Sequence, residues 1–302
     1  MGDTRRGAVF GAAAYLLWGI FPLYFPLLDP ASAVEVLAHR VVWSLVVVAL
    51  LVQVRRRWSG VRAVLADRSR VLRLGAAAVF LAVNWGVYIY GVTSDRVVET
   101  SLGYFINPLV TVMLGVVVLR ERLRPVQWFA LSVAAVAVLF LALQSGRLPW
   151  IALTLAFSFG IYGLLKKTSQ VGALEGLTVE TAVLTPVALV YLVVISSTGD
   201  GTLTTHGWGH AALLVLTGLI TAVPLLFFGA AATRIPLTTL GVLQYLAPTL
   251  QFLLGVAVFH EDMSVPRLLG FCLVWFALCV FTADLLSERR RTVRRLAVPE
   301  PV

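Results

Sequence analysis

This 302-residue sequence is poor in charge. Only 13% of its residues are Asp, Glu, Lys or Arg, about half the roughly 25% of an ordinary globular chain. That shortage excludes a disordered chain, which needs charge to stay solvated. Lysine is confined to Lys166 and Lys167, so 22 of the 24 basic residues are Arg. Cysteine is as scarce. Cys272 and Cys279 stand seven apart, about 10.5 Å along a helix and beyond disulfide reach. They read as small buried apolar residues, and no secreted disulfide scaffold is built on them. What abounds is apolar surface, with 59% hydrophobic residues and a mean hydropathy of +0.91. The net charge of +9 and pI near 10.1 would indicate nucleic acid in a soluble protein. Where the charges sit decides that question.

Ten apolar runs approach the roughly 20 residues that cross a bilayer core of about 30 Å: 7–28, 33–54, 72–92, 97–119, 126–143, 149–167, 176–197, 210–232, 236–259 and 266–286. The first is too long for a signal-peptide core, and a second follows closely. Segment 55–71 is the one connecting loop of appreciable size. With the N-terminus cytoplasmic, 20 basic residues fall inside, Lys166 and Lys167 among them, and 3 fall outside: Arg96, Arg147 and Arg267. Arg40 lies within a span. Cytoplasmic loops carry the excess of Lys and Arg, so both termini are expected in the cytoplasm. The basic segments then face membrane lipid rather than nucleic acid.

Shifting the chain by 140 superposes Pro108 on Pro248, Gly115 on Gly255, Glu121 on Glu261 and Thr93 on Thr233, and a shift of 141 sets Gly19-Ile20 on Gly160-Ile161. Aliphatic matches are cheap in such a chain; Pro, Gly and Glu matches are not. The reading is an all-α membrane protein of ten transmembrane helices in two repeats, 1–145 and 146–287, with a basic tail, 288–302. Five spans per half force opposite insertion. The charges agree, because 120–124 is basic and inside while its counterpart 260–264 is acidic and outside. Inverted repeats of this kind recur in transporters, with the substrate site between them near the midplane.

The duplicated five-helix plan, with AYLLWGIFPLYF at 14–25, resembles the EamA family of the drug/metabolite transporter superfamily. HRVVWS (39–44), NW (84–85), ETSLGYFINPLVTVMLG (99–115), ERLRPVQW (121–128), LAFSFGIYGLLKK (155–167) and QYLAPTLQFLLG (244–255) are similar to its RarD subgroup, often named chloramphenicol-sensitivity proteins. The resemblance implies a multi-pass transporter of the bacterial inner membrane, with a central cavity formed by helices 1–4 and 6–9. It implies that helices 5 and 10 are peripheral, and it implies no particular substrate.

Polar groups at membrane depth are costly and usually face an interior or a water-filled cavity. The second span is the richest, with Glu35, His39 and Arg40. Glu35 and His39 are i,i+4 neighbours on one helical face. One reading makes the three a substrate anchor at the outer mouth of a cavity: Arg40 binds a carboxylate or phosphate, and His39 or Glu35 exchanges protons near neutral pH. The other is a local ion pair that fixes packing. Glu99 opens the fourth span, where an acid complements the helix N-terminus; capping is the first reading there and proton coupling the second. Glu180 is reached by shifting Glu35 by 145 and is a candidate buried ionisable mate.

Pro108 removes a backbone hydrogen bond and frees the carbonyl of Tyr104 beside Asn107. Its counterpart, Pro248, follows Gln244 and Tyr245, so the two prolines are hinge candidates and their neighbours cavity candidates; paired packing kinks are the alternative. Asn84 and Trp85, with Trp18, Trp43, Tyr88 and Tyr162, are candidates for aromatic walls around a flat or cationic ligand, or else interface anchors and core. Glu121 and Glu261 read as caps or gates at turns.

No HExxH pair, GxSxG elbow, P-loop or dinucleotide fingerprint is present, so neither an enzyme nor a cofactor is expected. A channel lacks a visible filter or charged ring, and a sensor or scaffold lacks a soluble domain. The expectation is a secondary transporter for a small organic metabolite or drug-like molecule, working by alternating access and driven by protons or a counter-substrate.

Overall fold

A computed structural model of the chain describes residues 2–94, 96–143 and 149–258, then Val265, 268–270, 272–273, 275–277, 279–281 and 283–284. All regular structure among these residues is helical. In order, the helices are α1 (Asp3–Gly19), α2 (Ala33–Val54), α3 (Trp58–Ala66), α4 (Arg68–Thr93), α5 (Val97–Val117), α6 (Pro125–Leu143), α7 (Trp150–Ser169), α8 (Ala173–Thr198), α9 (Gly207–Ala232), α10 (Leu237–Leu243) and α11 (Leu246–Ala257). Among the described residues six stretches are long and apolar enough to cross a membrane, and the segments Leu102–Val117, Pro125–Phe140 and Leu268–Phe281 are apolar but shorter.

Three expected elements differ. The first run stops being α-helical at Gly19 and continues as two 3-10 turns, Phe21–Leu23 and Phe25–Leu28. Pro22 and Pro26 explain this, since each removes an N–H that an α-helix would use. The run 236–259 is divided at Gln244 and Tyr245, where the Ala247 N–H bonds Gln244 O in a tight i,i+3 turn just before Pro248. The 55–71 segment is not a plain loop, because it carries α3. The acidic turn with Glu261, the outer Arg147 and Arg267, and the tail 288–302 lie outside the described residues.

Apolar residues point both ways, as membrane residence requires. Val187, Val190 and Val193 on α8 are 75%, 66% and 66% exposed, an outward face that lipid rather than water suits. Cys272 and Cys279 are also exposed, not buried as expected; both stand on the outer face of the last helical stretch. The main core joins Tyr15 of α1, Val48 of α2, Leu81 of α4, Tyr162 of α7, Leu177 of α8, Phe228 of α9 and Leu240 of α10. Around it, α1 packs on α9, α2 on α8 and α9, α4 on α7 and α8, and α5 on α7 and α10. At Gly218 of α9 the backbone of α2 comes close, and a Cβ there would stand 2.3 Å from the backbone carbon of Trp43. Buried hydroxyls on α8 are satisfied within the helix: Thr178, Thr181 and Thr185 donate to the carbonyls of Leu174, Leu177 and Thr181.

Candidate functional site

The interior space between α2, α4, α8 and α9 is a narrow cavity lined by Ser44, Trp85, Glu180, Thr181, Thr221 and aliphatic neighbours. Arg40, eighth residue of α2, stands beside it. Its Nε donates to Thr221 Oγ1 at 2.9 Å. Its guanidinium carbon lies 4.9 Å from the Trp85 ring centre, 5.7 Å from that of Phe25 and 5.8 Å from that of Phe21. Each is within cation–π range. The titratable groups near enough to act on it electrostatically are the phenols of Tyr24, Tyr88 and Tyr104. Among the described residues no carboxylate pairs with Arg40, and its Nη groups donate to none of them.

Glu180, eighth residue of α8, is 1% exposed and has the partner that Arg40 lacks. Lys166 Nζ donates to its Oε1 at 2.8 Å, and Tyr162 OH donates to its Oε2 at 3.3 Å. Tyr162 in turn stacks on Phe228, ring centres 5.4 Å apart. By position in the sequence Lys166 falls among the cytoplasmic charges. It is 2% exposed, packed over Gly176 and Gly229, because an isolated carboxylate at Glu180 would be far costlier to bury than an ion pair. Lys167 turns the other way, donating to the carbonyl of Ile235.

Glu35 and His39 do meet, at 3.9 Å. Glu35 is occupied elsewhere, with its Oε1 accepting from Thr202 N–H at 2.7 Å and Thr202 Oγ1 at 3.1 Å. His39 Nδ1 accepts from Trp43 Nε1 at 3.3 Å, while its buried Nε2, which faces Glu35, has no hydrogen-bond partner among the described residues. Helix starts at Ala33 and Ala173 set a shift of 140 between α2 and α8. Glu35 and Glu175 are therefore each the third residue of their helix, and Arg40 and Glu180 each the eighth, a register of 140 rather than 145 between these two helices.

The other candidates disperse. Tyr88 and Tyr104 pair edge-on at 6.2 Å near Arg40. Trp18 and Tyr162 belong to a separate aromatic cluster with Phe159 and Phe228. Asn84 donates to Leu155 O and Ser158 Oγ, tying α4 to α7. Glu99 accepts from the Ile151 N–H and pairs with Arg96, so its carboxylate caps α7 as well as standing at the start of its own helix. Glu121 does the same for α10, taking the N–H groups of Leu237 and Thr238 on its two oxygens. The Thr111 hydroxyl stands 3.2 Å from Gln244 Oε1 and 3.5 Å from Asn107 Oδ1, able to donate to either, and Tyr245 OH donates to Phe105 O. These contacts join α5 to the α10–α11 break. Pro108 stays within continuous α5 with its carbonyl against Gly241, whereas Pro248 follows that break. Sequence reasoning missed Thr221, Phe21, Phe25 and Lys166; only the charge of Lys166 inside an apolar run hinted at a role.

A bundle of apolar helices enclosing buried ionisable groups defines a multi-pass membrane protein with an interior polar site. Comparison names the family. Residues 5–143 match the EamA-like transporter family. A protein named RarD from Streptomyces exfoliatus is 52% identical over 99% of this chain and 95% of its own. An uncharacterized transporter of Pseudomonas aeruginosa is 44% identical over 98% of both chains, and the RarD protein of Escherichia coli is 41% identical over 96% of this chain and 98% of its own. The chain belongs to the EamA-like transporter family, among relatives named RarD. A solved crystal structure shares the fold at a TM-score of 0.72 and 19% identity, over 93% of this chain and 98% of that one.

Proposed function

We propose that this protein is a secondary active transporter. It moves a small organic molecule across the bacterial cytoplasmic membrane by alternating access between two inverted repeats, 1–145 and 146–287, with both ends in the cytoplasm. The observation that carries this reading is a set of helix pairings that recurs when the halves are exchanged. Counting α1 with α7, α2 with α8, α4 with α9 and α5 with α10–α11, the pairings α1–α9, α2–α9 and α1–α11 reappear as α7–α4, α8–α4 and α7–α5. The starts of α5 and α10 lie 140 apart, and α4 and α9 are both 26 residues long. Two like halves facing each other offer two arrangements of similar energy, the bistable element that alternating access needs.

The narrow cavity beside Arg40 widens toward one side at a time in this reading. The absence of a nucleotide fingerprint leaves protons or a counter-substrate as the source of energy. The test begins with a thermal-shift screen of metabolites on the purified protein, followed by flux into liposomes with and without a proton gradient. Saturable flux with counterflow is expected. Unsaturable ion current would identify a channel, and a ligand-responsive protein without any flux would identify a sensor.

A further inference from the structure

We infer that the Arg40 site binds a monoanionic small molecule, a carboxylate with a flat apolar body. This inference rests on the transport reading only in taking the cavity as the substrate path. Its argument is a comparison of two places in one molecule. Arg40 and Glu180 are each the eighth residue of their helices, α2 and α8. The shift of 141 that superposes Gly19 on Gly160 also carries Phe21 onto Tyr162 and Phe25 onto Lys166.

The structure repeats that correspondence in space. Phe21 and Phe25 face Arg40, and Tyr162 and Lys166 hold Glu180. One half thus supplies its own counter-ion, and the other has a phenyl ring where the counter-ion would be. The Lys166–Glu180 pair sums to zero, leaving Arg40 beside the cavity as a positive charge with no carboxylate partner among the described residues. A guanidinium with Nε committed to Thr221 still presents its two Nη groups, the edge that grips a carboxylate in bidentate fashion. Around the guanidinium stand the rings of Trp85, Phe21 and Phe25, with the phenols of Tyr24, Tyr88 and Tyr104 in electrostatic range; these aromatic walls suit a flat hydrocarbon body, and among the described residues no second cation stands there for a dianion.

The experiment is calorimetric titration of the purified full-length protein with 3-phenylpropanoate. The comparison ligands are its neutral amide, phenethylammonium, phenyl phosphate and acetate. Saturable 3-phenylpropanoate binding is expected, at least about tenfold tighter than the amide, because the charge-assisted contact is lost in the amide. Acetate, lacking the ring, is expected to bind more weakly still. Arg40→Gln should erase the preference and Arg40→Lys retain part of it. Phe25→Glu supplies an internal carboxylate and should abolish binding without lowering the thermal midpoint, which guards against an Arg40→Gln protein that fails to fold.

Equal affinity for amide and carboxylate overturns the inference. So do preference for the ammonium or the phosphate, no saturable carboxylate binding up to millimolar concentration, or unchanged discrimination in Phe25→Glu. Carboxylate binding with this mutational pattern but no liposome counterflow supports the site and overturns the transport reading instead.

Discussion

Glu35 and Glu175 clamp the two ends of one helix pair. Each is the third residue of its helix, and each holds the segment that leaves the other's helix: Glu35 binds Thr202, beyond the end of α8, and Glu175 binds Arg57, beyond the end of α2. The start of each helix therefore meets the end of the other, so α2 and α8 run antiparallel along their shared contact.

The two clamps differ in what a mutation leaves behind. Glu35→Ala strands a buried backbone N–H, a loss of about 1–3 kcal/mol. Arg57→Ala removes a side chain that is 61% exposed and so uncovers the 7%-exposed Glu175 carboxylate to water instead of stranding it; the expected loss is the smaller one, about 1 kcal/mol or less. Thermal unfolding in detergent should show the larger drop for Glu35→Ala, and equal drops would refute the assignment. Because the sites sit at opposite helix ends, the double variant should be additive within about 0.5 kcal/mol.

Breaking the Lys166–Glu180 pair from one side should be worse than removing it whole. Lys166→Met leaves a buried carboxylate and is expected to cost about 3–5 kcal/mol, whereas Lys166→Met combined with Glu180→Leu replaces charge with apolar volume and should recover most of that. A double variant as unstable as the single one would show that the pair is not coupled. The measurement is the denaturation midpoint of each purified variant.

Gly218→Ala should abolish a folded, monodisperse product, because the added methyl meets the Trp43 backbone, which cannot swing aside. Gly86→Ala on α4 is the control, since a Cβ there meets nothing within 4 Å. Size-exclusion profiles of the two variants decide the matter. A normal Gly218→Ala profile would mean that α2 and α9 are less tightly packed than their geometry shows.

Much of the fold was legible because membrane solvent imposes length and apolarity on every span. The runs at 33–54 and 126–143 fall within a residue of α2 and α6. The breaks were harder. Pro22 and Pro26 carry a signal that a hydropathy window averages away, and the helix in 55–71 is too short and too charged to register as a span. The cysteines were misjudged because an apolar residue in a membrane protein satisfies itself as well against lipid as against the core.

The site was legible only as a set of residue types. Arg40, Glu180, Trp85 and Tyr162 stand out by being polar or aromatic at depth, and one-dimensional spacing offers no way to tell which of them meet. Lys166 shows the limit, since a lysine near the end of an apolar run has the same sequence signature whether it reaches the cytoplasm or turns inward.

The sequence by itself determined the apolar surroundings, the helical class and the family, because all three depend on composition and on strings of adjacent residues. The tertiary structure alone decided that Lys166 pairs with Glu180 while Arg40 meets no carboxylate among the described residues. Partner choice is a matter of which helices pack together, and a counter-ion 14 residues away on another helix is chosen by that packing and by the high cost of burying a lone charge.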